Sequence, residues 1–483
     1  MRVAILTETF LPQVNGVVRT VEKIIKYLEK NRHEVLLIAI GDGEECYSGT
    51  QVVRVPGIPF GLYKELNLVK PEDELFAKFL DNEFMQLPIA ALQSLIPSSN
   101  KVVEEALYKF QPDIIHLVTP VTLGAVGHYY IEKMKLPSLA TFHTDIAAYA
   151  PRYQIPYVEN IINVVTKMIY SKADRVLAPS PSSKAQLEDI GIENVGVFGR
   201  GVDHKLFNPS KADKKKLEAY GLSSNKLTIL YAGRLAEEKS LEKLVESFKH
   251  LLIKYPEDIQ LLIIGEGPSR VDLEAALAAA SNYGTVAKRT SSRLRRTNDR
   301  SVISSDAEDA TPVSYASKRK YKLRLLGVHE DHEDDENAEI GVRQQCHYAF
   351  TGLKTGEELA ALYASADIFA FPSVTETFGQ VVLEAMASGL PVLGFDSPGV
   401  RDLVEQAVSG FLADPKVDYL DAVNPLSFIY NLEALIKDAA WRKKLGDRAF
   451  AIAQQRSWDA ILAELVSEYE ILINAANKKL LRA

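Results

Sequence analysis

The chain has few cysteines and no long apolar run. Its two cysteines, Cys46 and Cys346, stand far apart, which fits neither a disulfide framework nor a zinc site and favours a reducing compartment. No apolar stretch approaches the roughly 18 residues that a membrane helix needs. The apolar run that ends before Glu8 is too short for a signal sequence and indicates a first strand. These absences predict a cytoplasmic protein, which could still dock on the cytosolic face of a membrane.

Basic residues are also in short supply. Lys and Arg number 56 against 64 Asp and Glu, which gives a formal net charge of −8. A general nucleic-acid binder needs basic surface, so no nucleic-acid partner is expected. The remaining composition, 47% hydrophobic and 25% charged, is that of an ordinary soluble protein, and 483 residues are enough for two or three domains.

Short apolar runs alternate with amphipathic segments over most of the chain. This alternation predicts parallel strands joined by helical crossovers. It occurs in two series, which predicts an α/β fold of two Rossmann-like, doubly wound domains. The strands are predicted at 3–6, 35–40, 113–118, 138–142, 175–178 and 194–198 in the first series, and at 227–231, 260–264, 367–371 and 391–395 in the second.

Local breaks in this rhythm suggest the domain limits. A Gly-rich turn at 199–203 and the pair Asn208-Pro209 separate the two series. We therefore predict a first domain over 1–205, a second over 206–455 and a final helical segment over 456–483.

Residues 281–346 lose the apolar rhythm altogether. They are basic at first and strongly acidic later, which predicts a disordered insertion in the second domain. Such an insertion is either a solvated loop without function or, given the hydroxyls beside Arg289 and Arg296, a phosphorylation-sensitive segment.

The stretch 371–391 combines a strand, a polar loop and a helix. The strand ends at Pro372, and the helix starts near Gly379 and ends at Gly389. The loop thus lies at the carboxyl end of a parallel strand, where open α/β sheets bind ligands. Free N–H groups and the positive end of the dipole at such a helix start suit an anion. The candidate binding residues here are Thr377, Phe378, Gly379 and Gln380.

Glu384 stands on this helix with apolar neighbours on nearly every side. A carboxylate in such a place is costly unless it is paired or hydrogen-bonded. A ribose diol could supply two donors to it, and an Arg or Lys in the core could equally pair with it. The residues alone leave these alternatives even.

Two cations follow the first strand of the second series. Arg234 and Lys239 lie in a loop before a helix, where a guanidinium fork and an ammonium group could clamp a diphosphate. Ordinary solvated charges, balanced by Glu237 and Glu238, are the alternative. The turn at 265–268 follows the next strand at the same sheet edge and is a weak signal by itself.

The first domain offers two further places. Asn15-Gly16 permits an unusual backbone at a helix start, where an anion could bind. It is not a G-x-G-x-x-G sequence, so an oxidoreductase with a dinucleotide is not indicated. His143 follows a strand and, with Asp145, could orient a hydroxyl or perform acid–base work; a structural histidine is the alternative.

Together these residues resemble the GT-B glycosyltransferases of family 4, over nearly the whole chain except the insertion. Glu376 and Glu384 stand in the E-x7-E motif of that family, within a highly specific context from Thr375 to Met386. The resemblance implies that Glu384 binds ribose and that Glu376 contacts the donor sugar. It also implies that Arg234 and Lys239 hold the diphosphate.

The same resemblance extends to the first domain and the end of the chain. The loop with Gly16 matches the family, although the family more often has Gly-Gly there. The counterpart of His143 sits beside the transferred sugar in family members. The resemblance further implies two domains that face each other across a cleft, with the last helix crossing back to the first domain.

The expected reaction is transfer of a hexose from a nucleotide diphosphate sugar to a lipid or glycan acceptor, with retention of configuration. Residues 199–203 are similar to the GDP-mannose-dependent α-mannosyltransferases, so mannose and GDP-mannose are favoured. Residues 142–144 and 149–153 are similar to sulfoquinovosyl- and glucosyl-lipid synthases, so a UDP-sugar-dependent lipid synthase is the alternative. A non-enzymatic protein that binds nucleotide sugars is a further one.

The expected catalytic residues are His143, Glu376, Arg234 and Lys239. The two cations and the N–H groups of the 377–380 loop would stabilise the departing diphosphate, with neither a metal nor a cofactor. The segment 75–96 is rich in Phe and Leu and is flanked by lysines. It either docks on anionic lipid at a membrane or packs as a helix in the first domain.

Overall fold

A computed structural model describes residues 1–13, 15–60, 63–68, 100–143, 158–278 and 347–481. The predicted insertion at 281–346, the proposed membrane-docking segment 75–96 and Asp145 all lie outside these residues. The predicted α/β class is confirmed, because two sheets built mainly of parallel strands carry helices between their strands.

The first sheet has eight strands in the order β10-β9-β8-β7-β1-β2-β4-β3. Every pair in it is parallel except the short β3–β4 pair at its edge. Its strands are β1 (Arg2–Thr7), β2 (Glu34–Ile40), β3 (Cys46–Tyr47), β4 (Thr50–Val55), β7 (Ile114–Val118), β8 (Ser138–Thr141), β9 (Arg175–Ala178) and β10 (Val195–Val197). A separate antiparallel pair consists of β5 (Ile58–Phe60) and β6 (Tyr63–Leu68).

Helices cover both faces of this sheet. In α1 the side chain of Asn15 accepts a hydrogen bond from the backbone N–H of Val18 at 2.9 Å, which closes the first turn. One face of α1 is apolar and buried against β1 and β2, so the helix is held by the core. The described helices of this region are α1 (Gly16–Lys30), α2 (Asn100–Phe110), α3 (Thr122–Met134), α4 (Val158–Tyr170) and α5 (Pro181–Asp189).

The second sheet has six parallel strands in the order β13-β12-β11-β14-β15-β16. The strands are β11 (Leu227–Ala232), β12 (Ile259–Ile264), β13 (Tyr348–Phe350), β14 (Ile368–Phe371), β15 (Val392–Phe395) and β16 (Gly410–Ala413). The helices whose bounds lie wholly within the described residues include α6 (Leu241–Lys254), α7 (Gly356–Ser365), α8 (Gln380–Ala387), α9 (Phe428–Lys437), α10 (Ala439–Ala453) and α11 (Trp458–Leu480).

The strand orders show where the direction of strand succession reverses in each sheet. β1 lies between β2 and β7, and β11 lies between β12 and β14. Crossovers leave in opposite directions from such a strand, so a crevice opens at its carboxyl end. In the first sheet that crevice is next to Glu8, and in the second it lies between the loops after β11 and β14.

The last helix packs against the first sheet. Leu462, Leu465 and Tyr469 of α11 are buried in the same apolar cluster as residues of β1 and α1. Val202 and Ser457 also form a bridge beside the start of this helix. The domain limits at 205 and 455 stay predictions. Within the described residues, no helix is long and apolar enough to cross a membrane.

Candidate functional site

The loop after β11 carries Arg234 on an exposed position and Lys239 on a half-buried one. Gly233 has a φ of 152°, and the hydroxyl of Tyr231 donates to the carbonyl oxygen of Arg234 at 3.0 Å. The turn with Gly265 packs directly on this loop, since a Cβ at Gly265 would lie 1.9 Å from the carbonyl oxygen of Gly233. The glycine turn therefore has a packing role in shaping the cation loop.

Lys239 forms an ion pair with Glu376, although the two stand on different loops. The Ser373 hydroxyl donates to the same carboxylate at 3.4 Å, and the Thr375 hydroxyl donates to the Glu238 carbonyl oxygen at 3.1 Å. Most of each charged side chain in the pair is shielded from water. The structure thus brings together one cation of the β11 loop and the first carboxylate of the E-x7-E motif.

Helix α8 begins directly after this loop. Its N-cap residue is Gly379, with a φ of 86° and no side-chain hydrogen bond to the first turn. The N–H groups of Val382 and Leu383 donate to the carbonyl oxygen of Gly379, at 3.0 and 3.2 Å, and no side chain caps the start of the helix. A positive helix end next to a lysine is a favourable place for a diphosphate.

Glu384 lies one turn further along α8 and is only 8% exposed. Burial raises the pKa of this carboxyl to about 7, against the opposing positive charge of Arg19 and hydrogen bonds from Gln380 and Tyr363. The amide of Gln380 reaches it at 3.4 Å. A carboxylate can accept about four hydrogen bonds, so capacity remains for a ligand.

Two of the predicted anion-binding residues instead contact the first domain with their side chains, and a third is buried. The Thr377 hydroxyl donates to the carbonyl oxygen of His143 at 2.9 Å, and the Gln380 amide donates to that of Gly201 at 3.3 Å. Phe378 is buried in the core of the second domain. Any contact of Phe378 with a ligand would therefore come from its backbone.

Arg200 is a site residue that the sequence reasoning missed. Its guanidinium is buried, lies 5.9 Å from the centre of the Phe378 ring, and leaves Nε without a partner among the described residues. Burial lowers the pKa of Arg200 to about 10, against the negative charges of Glu376 and Glu384. The sequence did contain a signal for it, because Arg200 stands between Gly199 and Gly201 directly after a strand.

Gly16 lies next to this guanidinium. A Cβ built on Gly16 would lie 2.9 Å from Nη1 of Arg200. The start of α1 therefore lies beside the buried guanidinium of Arg200. The positive end of this second helix dipole is thus close to the candidate site.

His143 is buried at the carboxyl end of β8. Burial lowers its pKa well below the usual value, and the positive charge of Arg200 adds to the effect. The ring is therefore neutral near pH 7. Its Nε2 contacts the Thr141 hydroxyl at 3.0 Å, whereas Nδ1 has no partner in the part of the chain that the structure describes.

Glu8 is a second buried glutamate, at the end of β1. It accepts hydrogen bonds from the backbone N–H groups of Val121 at 2.7 Å and Gly124 at 3.1 Å, at the start of α3. Burial raises its pKa to about 7. These contacts make Glu8 the cap of a helix of the first domain.

The fold, with two Rossmann-like domains built on parallel sheets, is that of the GT-B glycosyltransferases. Residues 14–206 match the model of Glycosyltransferase Family 4, and residues 212–286 and 309–448 match that of Glycosyl transferases group 1. The chain belongs to the family 4 glycosyltransferases of GT-B fold and is a hexosyltransferase.

Known glycosyltransferases are similar to this protein over most of its length. A GDP-mannose-dependent alpha-mannosyltransferase of Corynebacterium glutamicum is 28% identical over 98% of this chain and 89% of its own length. Sulfoquinovosyl transferase SQD2 of Arabidopsis thaliana is 25% identical over 94% of this chain and 70% of its own length. The crystal structure of Anabaena Alr3699/HepE in complex with UDP has a TM-score of 0.63 at 16% identity, covering 98% of this chain and 100% of that one, and it shows the fold.

Proposed function

We propose that the protein transfers a hexose, with mannose favoured, from a nucleotide diphosphate sugar to a lipid or glycan acceptor. The observation that carries the proposal is the Lys239–Glu376 pair beside the uncapped start of α8. It joins a cation and a carboxylate at the end of the reversal strand of the second sheet, where such folds bind nucleotides.

The donor would lie along the second domain with its sugar toward the first. Glu384 would accept hydrogen bonds from the ribose hydroxyls, because its carboxylate has spare acceptor capacity in a buried place. Lys239 would exchange its contact with Glu376 for the diphosphate, while Arg234 approaches from its exposed position. Glu376 would then be released toward the sugar.

Developing charge on the departing diphosphate is the main electrostatic demand of this reaction. Lys239, Arg234 and the N–H groups at the start of α8 would stabilise it without a metal, and the buried Arg200 would add a third cation. We further propose retention of configuration by a displacement on one face of the sugar, in which the donor phosphate accepts the proton of the acceptor hydroxyl.

GDP-mannose is the favoured donor, because three relatives that cover nearly all of this chain carry the name GDP-mannose-dependent alpha-mannosyltransferase. A UDP-sugar-dependent lipid synthase is the second candidate, and the relatives named sulfoquinovosyl transferase and alpha-monoglucosyldiacylglycerol synthase support it. In both cases the proposed place of action is the cytoplasm, with peripheral contact to the cytosolic face of a membrane.

The site assignment is tested with alanine variants at Glu376, Glu384, Arg234 and Lys239, measured by donor turnover. Each variant is expected to lose about 2–4 kcal/mol of transition-state stabilisation. Lys249→Ala is the matched control, because Lys249 pairs with Glu246 on α6 and plays no part in the site. Rates like those of the wild type in all four variants would refute the assignment.

The donor is identified by thermal shift with GDP-mannose, UDP-glucose and ADP-glucose. A ligand that binds only the folded protein raises the melting temperature by mass action. We expect the largest rise with GDP-mannose, and a larger rise with the UDP sugar would favour the second candidate. The anomeric configuration of the first product, read by proton NMR, tests retention, and turnover in excess chelator tests independence from metal.

A further inference from the structure

A chain of buried hydrogen bonds connects the last helix to His143. The Tyr469 hydroxyl of α11 lies 2.7 Å from Nδ1 of His116 on β7. Nε2 of His116 lies 2.9 Å from the hydroxyl oxygen of Thr141, and the same oxygen lies 3.0 Å from Nε2 of His143. All four side chains are buried, so water does not replace any of these contacts.

The number of hydrogens in this chain restricts its direction. Burial lowers the pKa of both His116 and His143 far enough that each ring is neutral and carries one N–H. The hydroxyl of Thr141 has one hydrogen and lies between two Nε2 atoms. It can therefore donate to only one ring and must accept from the other.

Two arrangements satisfy the hydroxyl of Thr141. In the first, Tyr469 donates to Nδ1 of His116, His116 donates from Nε2 to Thr141, and Thr141 donates to Nε2 of His143. In the second, every bond runs the other way, so that His116 donates to Tyr469.

The hydroxyl of Tyr469 distinguishes these arrangements. In the second one its hydrogen has no acceptor among the described residues, and an unmade hydrogen bond of a fully buried donor is costly. In the first one the hydrogen left without a described acceptor is that on Nδ1 of His143. Each arrangement thus leaves one buried hydrogen unmet, but Tyr469 is enclosed in an apolar cluster, whereas His143 meets the loop of Glu376, where a ligand oxygen can accept the hydrogen. The first arrangement is therefore the one that ligand binding completes.

We propose that Tyr469, acting through His116 and Thr141, is a positioning residue that holds His143 as the Nδ1–H tautomer. In this form His143 presents a hydrogen-bond donor to a hydroxyl oxygen of the transferred sugar. It does not present a base, because its Nε2 lone pair is occupied by Thr141. The inference rests on the proposed function only where it names a sugar hydroxyl as the hydrogen-bond acceptor. The assignment of the tautomer does not depend on that function.

The location of Nδ1 of His143 supports a ligand next to the loop of Glu376. His143 meets the loop of Glu376 through the bond from Thr377 to its carbonyl oxygen. The positive charge of Arg200 reaches the same ring and both glutamates of the motif. The buried Nδ1 is left without a described partner at the place where the sugar end of the donor would lie.

The direct test is the tautomer itself, read from nitrogen-15 shifts and long-range proton couplings of the histidine rings in the full chain. The wild-type protein, with His143→Gln to assign the signal, is expected to show Nδ1–H at His143. Tyr469→Phe keeps the packing ring and removes the hydroxyl, and it is expected to give a mixture of tautomers. An Nε2–H ring at His143 in the wild type would overturn the proposal, whatever the stability of the variant.

Kinetics supply a second readout. Tyr469→Phe is expected to lower kcat/KM for the donor sugar by roughly threefold to tenfold, as for the loss of one neutral hydrogen bond. The Kd for GDP or UDP alone is expected to stay unchanged. Tyr47→Phe is the matched control, because its ring packs against the same apolar cluster as Tyr469 while its hydroxyl donates to Glu22, outside the relay.

A double variant separates positioning from structure. If Tyr469 acts only through His143, Tyr469→Phe causes no further loss in a His143→Ala background. Additive losses would mean a structural role and contradict the proposal. An inactive wild type with every sugar nucleotide, together with the expected Nδ1–H signal, would refute the proposed function and leave the relay in place.

Discussion

Glu8 and Glu384 are both buried glutamates near the carboxyl end of a central strand, and burial raises the pKa of each to about 7. Their partners differ. Backbone N–H groups at the start of one helix bond to Glu8 at short distance. Glu384 has only side-chain partners, the amide of Gln380 at 3.4 Å and the hydroxyl of Tyr363, together with the positive charges of Arg19 and Arg200.

The comparison shows that burial and a raised pKa do not by themselves identify a binding residue. The carboxylate of Glu8 already has helix N–H groups as partners, so it functions as a cap. The carboxylate of Glu384 lacks such partners, although the charges of Arg19 and Arg200 reach it, so a ligand with hydroxyl donors improves its environment. Unused hydrogen-bonding capacity is the property that separates the two.

The largest expected effect is on turnover. Glu384→Gln should lower kcat/KM for the donor by about 100-fold, since a charge-assisted hydrogen bond contributes about 1.5–3 kcal/mol and two such bonds are lost or weakened. Glu8→Gln is the matched control and should change kcat/KM by no more than a few-fold. Equal losses in the two variants would contradict the distinction between cap and ligand.

The second prediction concerns stability and pH. Because the pKa of Glu8 is about 7 in the folded protein and 4.5 in an exposed glutamate, the folded protein binds more protons between these values and loses stability as pH rises through them. Gln does not titrate, so Glu8→Gln should gain about 2.5 kcal/mol in unfolding free energy relative to the wild type between pH 5 and pH 8. Urea unfolding at each pH measures this, and a constant difference would show that Glu8 keeps its ordinary pKa.

A smaller effect is expected at Arg200. Arg200→Gln should lower kcat/KM about tenfold through the loss of one partly screened cation near the diphosphate. It should also raise the pKa of Glu384, because Arg200 lowers it. The acid limb of the pH profile of kcat/KM would then move to higher pH. A profile that does not move would mean that Arg200 does not act on Glu384.

The smallest effect is expected at Gly16. An added Cβ would meet the guanidinium of Arg200, which can move away at low cost. Gly16→Ala should therefore raise the donor KM about threefold, while the better helix propensity of Ala leaves stability equal or up to about 1 kcal/mol higher. A loss of stability without a change in KM would place the function of Gly16 in the fold rather than in the site.

Much of the second domain could be predicted from the sequence, because its signals are local. The strand predicted at 260–264 spans Ile259–Ile264, and the helix predicted from about 379 is α8. In the first sheet, strand β4 was missed because Gln51 and Arg54 interrupt its apolar residues, so no apolar run marks it. The positions of Lys239 and Glu376 on two loops of one sheet edge follow from the rule for parallel strands.

The contacts of the first domain could not be predicted in the same way, because the residues that make them are distant in the chain. Glu8 meets the start of α3 more than a hundred residues later, and Tyr469 meets His116 across 353 positions. No periodicity or spacing encodes such contacts. The structure added Arg200, the cap at Glu8 and the relay to His143.

The sequence by itself determined the fold class, the two series of strands and the motif loops, because burial patterns and glycine positions act over a few residues. Only the tertiary structure decided which charges face one another, which buried carboxylate has partners and which ring nitrogen of His143 stays open. These properties depend on distances between elements that fold separately along the chain, and hydrogen bonds and desolvation change steeply over a few ångströms.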